Sequence, residues 1–360
     1  MSENDSIVMQ QDNAKGSTAL QAKIVNVYPN GITEEKCREI CMDVYKDNIM
    51  SLQKEAKDIA FQRAERLTDM FIKKLSEQNE NIRNKIEEQL KEPSMQEAIF
   101  KSQKCYAMSN DEDHLKILTD MLIDRGSISQ RTNKQMLIDE AIDVLPRLNQ
   151  KHLDILLFYC AIMLSPISPN KEDTTEHIND LIKYLQIIIP IKKNDPSFYY
   201  LVQKSCLMMF TGGSKLKKIS EFLAEHFEIL HSGFPKNDYD SLVTVDIPEI
   251  PFASSLIKTE NVIINTSLSE LRKILDDKEL SEEDYYNIIH FWHRNKGEND
   301  LHLIENYIIN NFENGNILFE NWSKINRYSP TILGMIIAQA YLRIKYQCNA
   351  IWDFDESEIR

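Results

Sequence analysis

Glycine is scarce, with 9 in 360 residues, too few for the many tight turns of a β-sandwich or barrel. No uncharged apolar run reaches the roughly 18 residues that a membrane-spanning helix needs. The longest apolar stretches, around Ile155–Leu164 and Ile332–Ala340, predict buried helices instead. The opening MSENDSIVMQQDNAKGS lacks both a basic segment and an apolar segment, so no secretory signal is expected. The six cysteines, at 37, 41, 105, 160, 206 and 348, form no CxxC pair and no secreted framework. Reduced thiols in a cytoplasm are the expected state. Positive charge is short as well: 42 Lys and Arg face 56 Asp and Glu, for a net charge of −14. That balance argues against nucleic acid and anionic membranes as partners. Lys215, Lys217 and Lys218 are the densest basic group and read as a solvated helix face.

What is present is a helical pattern. A hydrophobic fraction of 42% with 27% charged residues is that of a globular protein with a real core. After Gly31-Ile32-Thr33-Glu34-Glu35, a cap followed by acidic residues, apolar positions recur at helical spacing from Cys37 to Leu75. One unbroken helix there would be on the order of 60 Å long and would outrun a small domain, favouring a partner or a second copy. The alternative is a turn near Asn48–Ser51. Ser94-Met95-Gln96-Glu97 reads as a capping box opening a helix to about Met108. Helices are expected over 113–124, 130–145, 150–164, 174–189, 197–210 and 214–231. From Pro235 to Asn265 the helical period is lost, and Pro235, Pro248 and Pro251 suggest a linker with short strands at most. Beyond it, Ser267-Leu268-Ser269-Glu270, Ser281-Glu282-Glu283-Asp284 and Ser329-Pro330 mark starts for four helices between 268 and 347. No repeat of constant period appears.

The expectation is an all-α, multi-helical protein with a long N-terminal helix, a short N-terminal strand and a small β/loop linker before a C-terminal helical unit. Its divisions are a leader at 1–30, helical regions at 31–126 and 127–235, a linker at 236–266 and a C-terminal domain at 267–360. β structure is expected only near 18–28 and 240–266.

The leader is the anomaly. Ile24, Val25 and Val27 are β-branched and Tyr28 is aromatic, a strand composition. Leu20, Ala22 and Ile24 would face one way, Val25 and Val27 the other. A lone strand leaves its own donors and acceptors unpaired. Val262–Ile264 is the nearest internal partner but is short. A second copy of 19–28 is more complete, by strand addition. Homo-oligomerisation through Leu20, Ala22, Ile24, Val25 and Val27 is therefore expected.

Candidate chemistry is sparse. Arg147 and His152 fit the R-x4-H pattern of the HEPN ribonucleases, in which resemblance the Arg would stabilise phosphate charge and the His would move a proton. With 8 His and about 12 Arg, roughly one such match arises by chance. His290 and His293 share a helix face as metal ligands would, with Glu298 and His302 further on; an aromatic helix end explains them equally. Cys37 and Cys41, one turn apart, read as small core hydrophobes. Gly212-Gly213-Ser214-Lys215 resembles the tail of a phosphate loop but lacks the preceding strand. No HExxH or G-x-S-x-G occurs, although a Ser/His/Asp grouping from distant positions stays open. No cofactor and no metal are expected.

Gln21-Ala22 before the leader strand, then Gly31-Ile32-Thr33, Asp43-Val44-Tyr45 and Asn48, resembles the start of a bacterial family of uncharacterised helical proteins. The likeness runs through Ala60, Arg63-Ala64-Glu65, Phe71, Leu75 and Asp124-Arg125 and ends after Gly233-Phe234. Lys23 stands where that family usually has Gly. The resemblance implies a role as an effector or sensor in anti-phage defence. The function expected is a non-enzymatic, self-associating scaffold, sensor or adaptor with a protein partner; the alternative is an RNA-directed enzyme using Arg147 and His152.

Overall fold

The structure is a computed structural model that describes residues 33–48, 54–129, 131–163, 171–192, 195–212, 215–296 and 300–346. The leader residues Leu20, Ala22, Ile24, Val25 and Val27 lie outside the described residues. Of those described, 72% are helical. The chain divides into two compact units, Met1–Gln135 and Met136–Arg360.

The first unit holds α1 (Glu34–Asn48), α2 (Lys54–Ser76), α3 (Glu80–Gln89), α4 (Pro93–Ser109), α5 (Glu112–Gly126) and the start of α6 (Asn133–Val144). The run from Cys37 to Leu75 is two helices, α1 and α2, and not one long helix. α1 and α2 lie antiparallel: Arg38 pairs with Glu65 at 2.5 Å and with Asp69, and the Tyr45 hydroxyl donates to the Ala60 carbonyl at 3.0 Å. Ala60 and Ala64 have the small side chains that let the Tyr45 ring in, and all three are buried. α2 is covered by α1, α4 and α5. Its length is thus explained within the unit and does not call for a second copy. Asn110, at φ 52°, ends α4, and Asp111 at once caps α5 by accepting from the Asp113 and His114 amides at 2.9 Å. α4 starts at Pro93 rather than at a Ser94 capping box, because the first helical position needs no N–H.

The second unit continues with α7 (Gln150–Met163), α8 (Lys171–Ile188), α9 (Pro196–Gln203), β1 (Leu207–Met209), α10 (Ile219–His226), α11 (Lys236–Leu242), β2 (Phe252–Ser254) and β3 (Val262–Ile264). It ends with α12 (Leu268–Asp276), α13 (Glu282–Arg294), α14 (Asp300–Asn311), α15 (Gly315–Ile325), β4 (Tyr328–Pro330) and α16 (Ile332–Tyr346). α7 is apolar on nearly all sides and packs against both α8 and α16. Ser267 and Ser281 cap α12 and α13 as their sequences predict.

Several expectations are corrected here. The helix expected to reach 210 stops at Gln203: Ser205 takes φ 58°, its amide donates to Val202 O and the Cys206 amide to Leu201 O, the Schellman closure. That frees β1 to pair antiparallel with β4, a β element outside the expected ranges, with Met208 opposite Ser329. Ser329-Pro330 therefore belongs to a strand, and Thr331 caps α16 by accepting from the Gly334 amide. Gly334 allows this join, since a Cβ there would stand 2.0 Å from Cys206 O. Five helices, not four, follow residue 267, because Asn314 at φ 64° divides α14 from α15.

The segment 236–266 is another. Expected as a linker, it is instead part of a core: Phe234, Tyr239, Val243, Ile247, Ile250 and Ile264 pack with Leu271, Ile288 and Phe291 of α12 and α13. β2 pairs antiparallel with β3, Ala253 opposite Ile263. On the other edge of β3, Val262 exchanges backbone bonds with Phe234 at 2.9 Å, and Asn295 bonds the Ile264 amide and carbonyl at 3.2 and 3.0 Å. Both edges of this short strand are satisfied.

Candidate functional site

Beside that core lies an open cleft of about 250 Å³. α11 supplies Lys236, Tyr239 and Asp240, the turn after it Val243, Thr244, Asp246 and Ile247, and β2 supplies Phe252. The helical spacing of 236, 239 and 240 puts those three on one face. Val243 and Ile247 are buried and form the floor, whereas Leu242 and Val245 are exposed, apolar and adjacent. Tyr239 is anchored between Phe234, Phe291 and Phe252, with ring centroids 4.9–6.2 Å apart. Burial, together with the carboxylates of Asp240, Asp246 and Asp284, pushes its phenol up to about 12, so it stays neutral at physiological pH. Asp284 is held by the Thr244 amide at 2.8 Å and by the Ser281 hydroxyl at 2.8 Å, which keeps its carboxyl below the usual range. The lining offers apolar, aromatic and acidic surface and a lysine, a recognition surface by composition.

A Ser/His/Asp grouping does form elsewhere, from residues far apart in sequence. His231 Nδ1 lies 3.0 Å from Asp300 Oδ2, and Ser232 bonds the same carboxylate through both its amide, at 3.1 Å, and its hydroxyl. The connectivity is not that of a nucleophile and base. The serine hydroxyl goes to Asp300, and His231 Nε2 faces the Ala224 carbonyl at 2.8 Å. All three residues are buried. The group ties the loop after α10 to the start of α14.

Arg147 ends a 3-10 turn after α6 and is exposed; His152 lies in the first turn of α7 and is buried. His152 Nδ1 accepts the Asn149 amide at 3.1 Å, and the ring stacks on Tyr200 at 4.8 Å. The neutral ring therefore carries its proton on Nε2. Burial and the nearby Lys151 hold His152 below the ordinary histidine value, with Asp195 opposing. The Tyr200 hydroxyl bonds the Arg147 carbonyl at 2.9 Å, so the polar contacts at this corner organise a helix start.

His290 and His293 sit exposed near the end of α13, beside Tyr286 and Trp292 respectively. Among the described residues no three His, Cys, Asp or Glu side chains gather as a metal set. Cys37 and Cys41 are buried, and the contact with Cys37 together with burial raises the Cys41 thiol well above its ordinary value. Gly212 precedes α10 at φ 68°. The cleft was missed by sequence reading, although K-N-D-Y-D between prolines mixes a lysine, acids and an aromatic within one helical turn.

A protein-family model matches residues 31–354, and its description is that of an uncharacterised family without an established activity. The chain belongs to that family. The match starts after the leader and continues well past Gly233-Phe234, so it includes the cleft and the whole of α12 to α16. Neither the curated proteins nor the solved structures contain a match to the chain. No helix among the described residues is long and apolar enough to cross a membrane.

Proposed function

We propose that this protein is a non-enzymatic helical scaffold that docks a protein partner in the α11–β2 cleft and associates with further copies of itself through its leader. The observation that carries the docking reading is the cleft: an open aromatic and acidic concavity, with exposed Val245 in its lining, set on a well-packed core. Such a surface on a rigid support suits recognition of a short segment. Self-association has separate support. Val262–Ile264, the internal strand that could have paired with residues 19–28, already has both edges engaged, which leaves a second copy as the more complete partner. A role as sensor or adaptor in bacterial anti-phage defence rests on the resemblance of the leader and first helix.

Hydrogen exchange on the full chain, titrated with ten-residue peptides of basic, neutral and acidic character, tests the docking reading. Saturable protection of residues 236–252 by one class is the expected result; no protection by any class at millimolar concentration overturns it. For self-association, removal of residues 1–30 lowers the mass seen by light scattering while the helical signal stays; an unchanged mass overturns that part.

A further inference from the structure

Lys236 turns its ammonium back over its own helix. Its Nζ stands 4.3 Å from the centre of the Tyr239 ring and 4.2 Å from that of Phe252. The two rings meet at 79° with centroids 4.9 Å apart, so they form the two walls of a corner. The electron-rich ring faces attract a cation placed there. The same ammonium also reaches Asp240 at 2.6 Å. Beyond it in the cleft stands Asp246, an exposed carboxylate with no ion-pair partner among the described residues. Asp284 is not available, being committed to Thr244 and Ser281.

One carboxylate and two ring faces thus surround the ammonium, and a second carboxylate, Asp246, is left over in the same cleft. The bond to Asp240 does not require the rings, because the two residues lie one turn apart on the same exposed helix face, so Lys236 can leave the ring faces while keeping Asp240. We infer that the corner is a lysine-binding site masked by Lys236: a lysine side chain of a partner segment takes the ring faces with Asp246 as its counter-ion, while Lys236 swings off the rings and keeps its bond to Asp240. This rests on the docking reading above and names its ligand chemistry. A compact ammonium fits a right-angled corner, whereas a planar guanidinium stacks on one face at a time. Lysine is therefore preferred over arginine.

The test uses the full chain and ten-residue Gly/Ser peptides carrying one central lysine, arginine or glutamate, with affinity read by titration calorimetry and position by hydrogen exchange. Lys236→Gln removes the resident ammonium, and it is expected to bind the lysine peptide at least fivefold tighter than the unaltered chain. Asp246→Asn and Phe252→Leu are each expected to weaken that peptide at least fivefold. Asp246 is exposed, so its substitution leaves folding intact and keeps the test open if Phe252→Leu disturbs the core. An unchanged affinity in Lys236→Gln, or an arginine peptide bound as tightly as the lysine one, overturns the inference. Protection of 236–252 by only the glutamate peptide overturns it while leaving the docking reading standing. With no protection by any peptide, both fall.

Discussion

α2 and the stretch from Phe234 to Thr266 bury apolar side chains by opposite means. In α2, 23 residues form one helix whose inward positions Ala60, Ala64, Leu67 and Phe71 repeat at helical spacing. Every backbone bond in its interior is local, so the helix is specified turn by turn and neighbours only cover its apolar stripe. From Phe234 to Thr266 no element is longer than the seven residues of α11. There the backbone groups find partners far away: Val262 at Phe234, Ile264 at the Asn295 side chain, Leu256 at Ile229. The first kind of region tolerates local change and is sensitive to lost volume. The second is sensitive to anything that moves its backbones apart.

The largest effect tests the first kind. Phe71 is 1% exposed in the first unit's core, and Phe71→Ala is expected to lower unfolding stability by about 3–5 kcal/mol in urea titration, with helical content of the native state kept. A loss under about 1 kcal/mol would mean that α2 does not depend on its buried stripe.

Gly233 tests the second kind. It sits at φ 64°, and a Cβ there would lie 2.3 Å from the Val262 carbonyl oxygen. Gly233→Ala combines backbone strain with a clash against a strand that cannot shift without breaking its own pairs. A loss of about 3 kcal/mol is expected, together with faster proteolysis within 236–266 than in the unaltered chain. Wild-type stability in this variant would show that the Phe234–Val262 approach is not needed.

Acid then separates burial from pairing. Burial and the proximity of His226 lower His177 from 6.5 to about 4. Below pH 6.5 the unfolded chain takes up a proton that the folded chain refuses, so stability falls from about pH 6.5 down to pH 4 and levels off below. Between pH 7 and pH 5 this amounts to about 2 kcal/mol. His152 and His226, also lowered chiefly by burial, act with the same sign. His177→Phe is expected to show a shallower acid loss by about that amount; identical slopes would assign the acid sensitivity elsewhere.

The smallest effect compares a purely local device. Ser267 accepts the Glu270 amide at 3.2 Å at the start of α12. Ser267→Ala is expected to cost about 1 kcal/mol, measured as a shift of the urea midpoint without change in slope.

Much of the helical architecture was legible because its signals are local. The caps at Ser267 and Ser281, the acidic start of α1 and the proline and glycine stops around α5 to α8 all act within one turn of the residues that carry them. The cleft was not legible, because Phe252 meets Tyr239 only after the chain has folded back through Val243–Pro251. For the same reason Ser232, His231 and Asp300 could be imagined as a reactive group from composition, and only their hydrogen bonds show a clamp.

By itself the sequence determined that this chain is predominantly helical and where most of its helices begin and end, since helix formation needs partners no more than four residues away. Tertiary structure alone decided that Cys37–Leu75 is an antiparallel pair, that Leu207–Met209 leaves the helix for a strand with Tyr328–Pro330, and that 236–266 is core rather than linker. Those outcomes depend on contacts between residues tens to more than a hundred positions apart, whose free energy is set by the closure of the fold and not by any pattern within one segment.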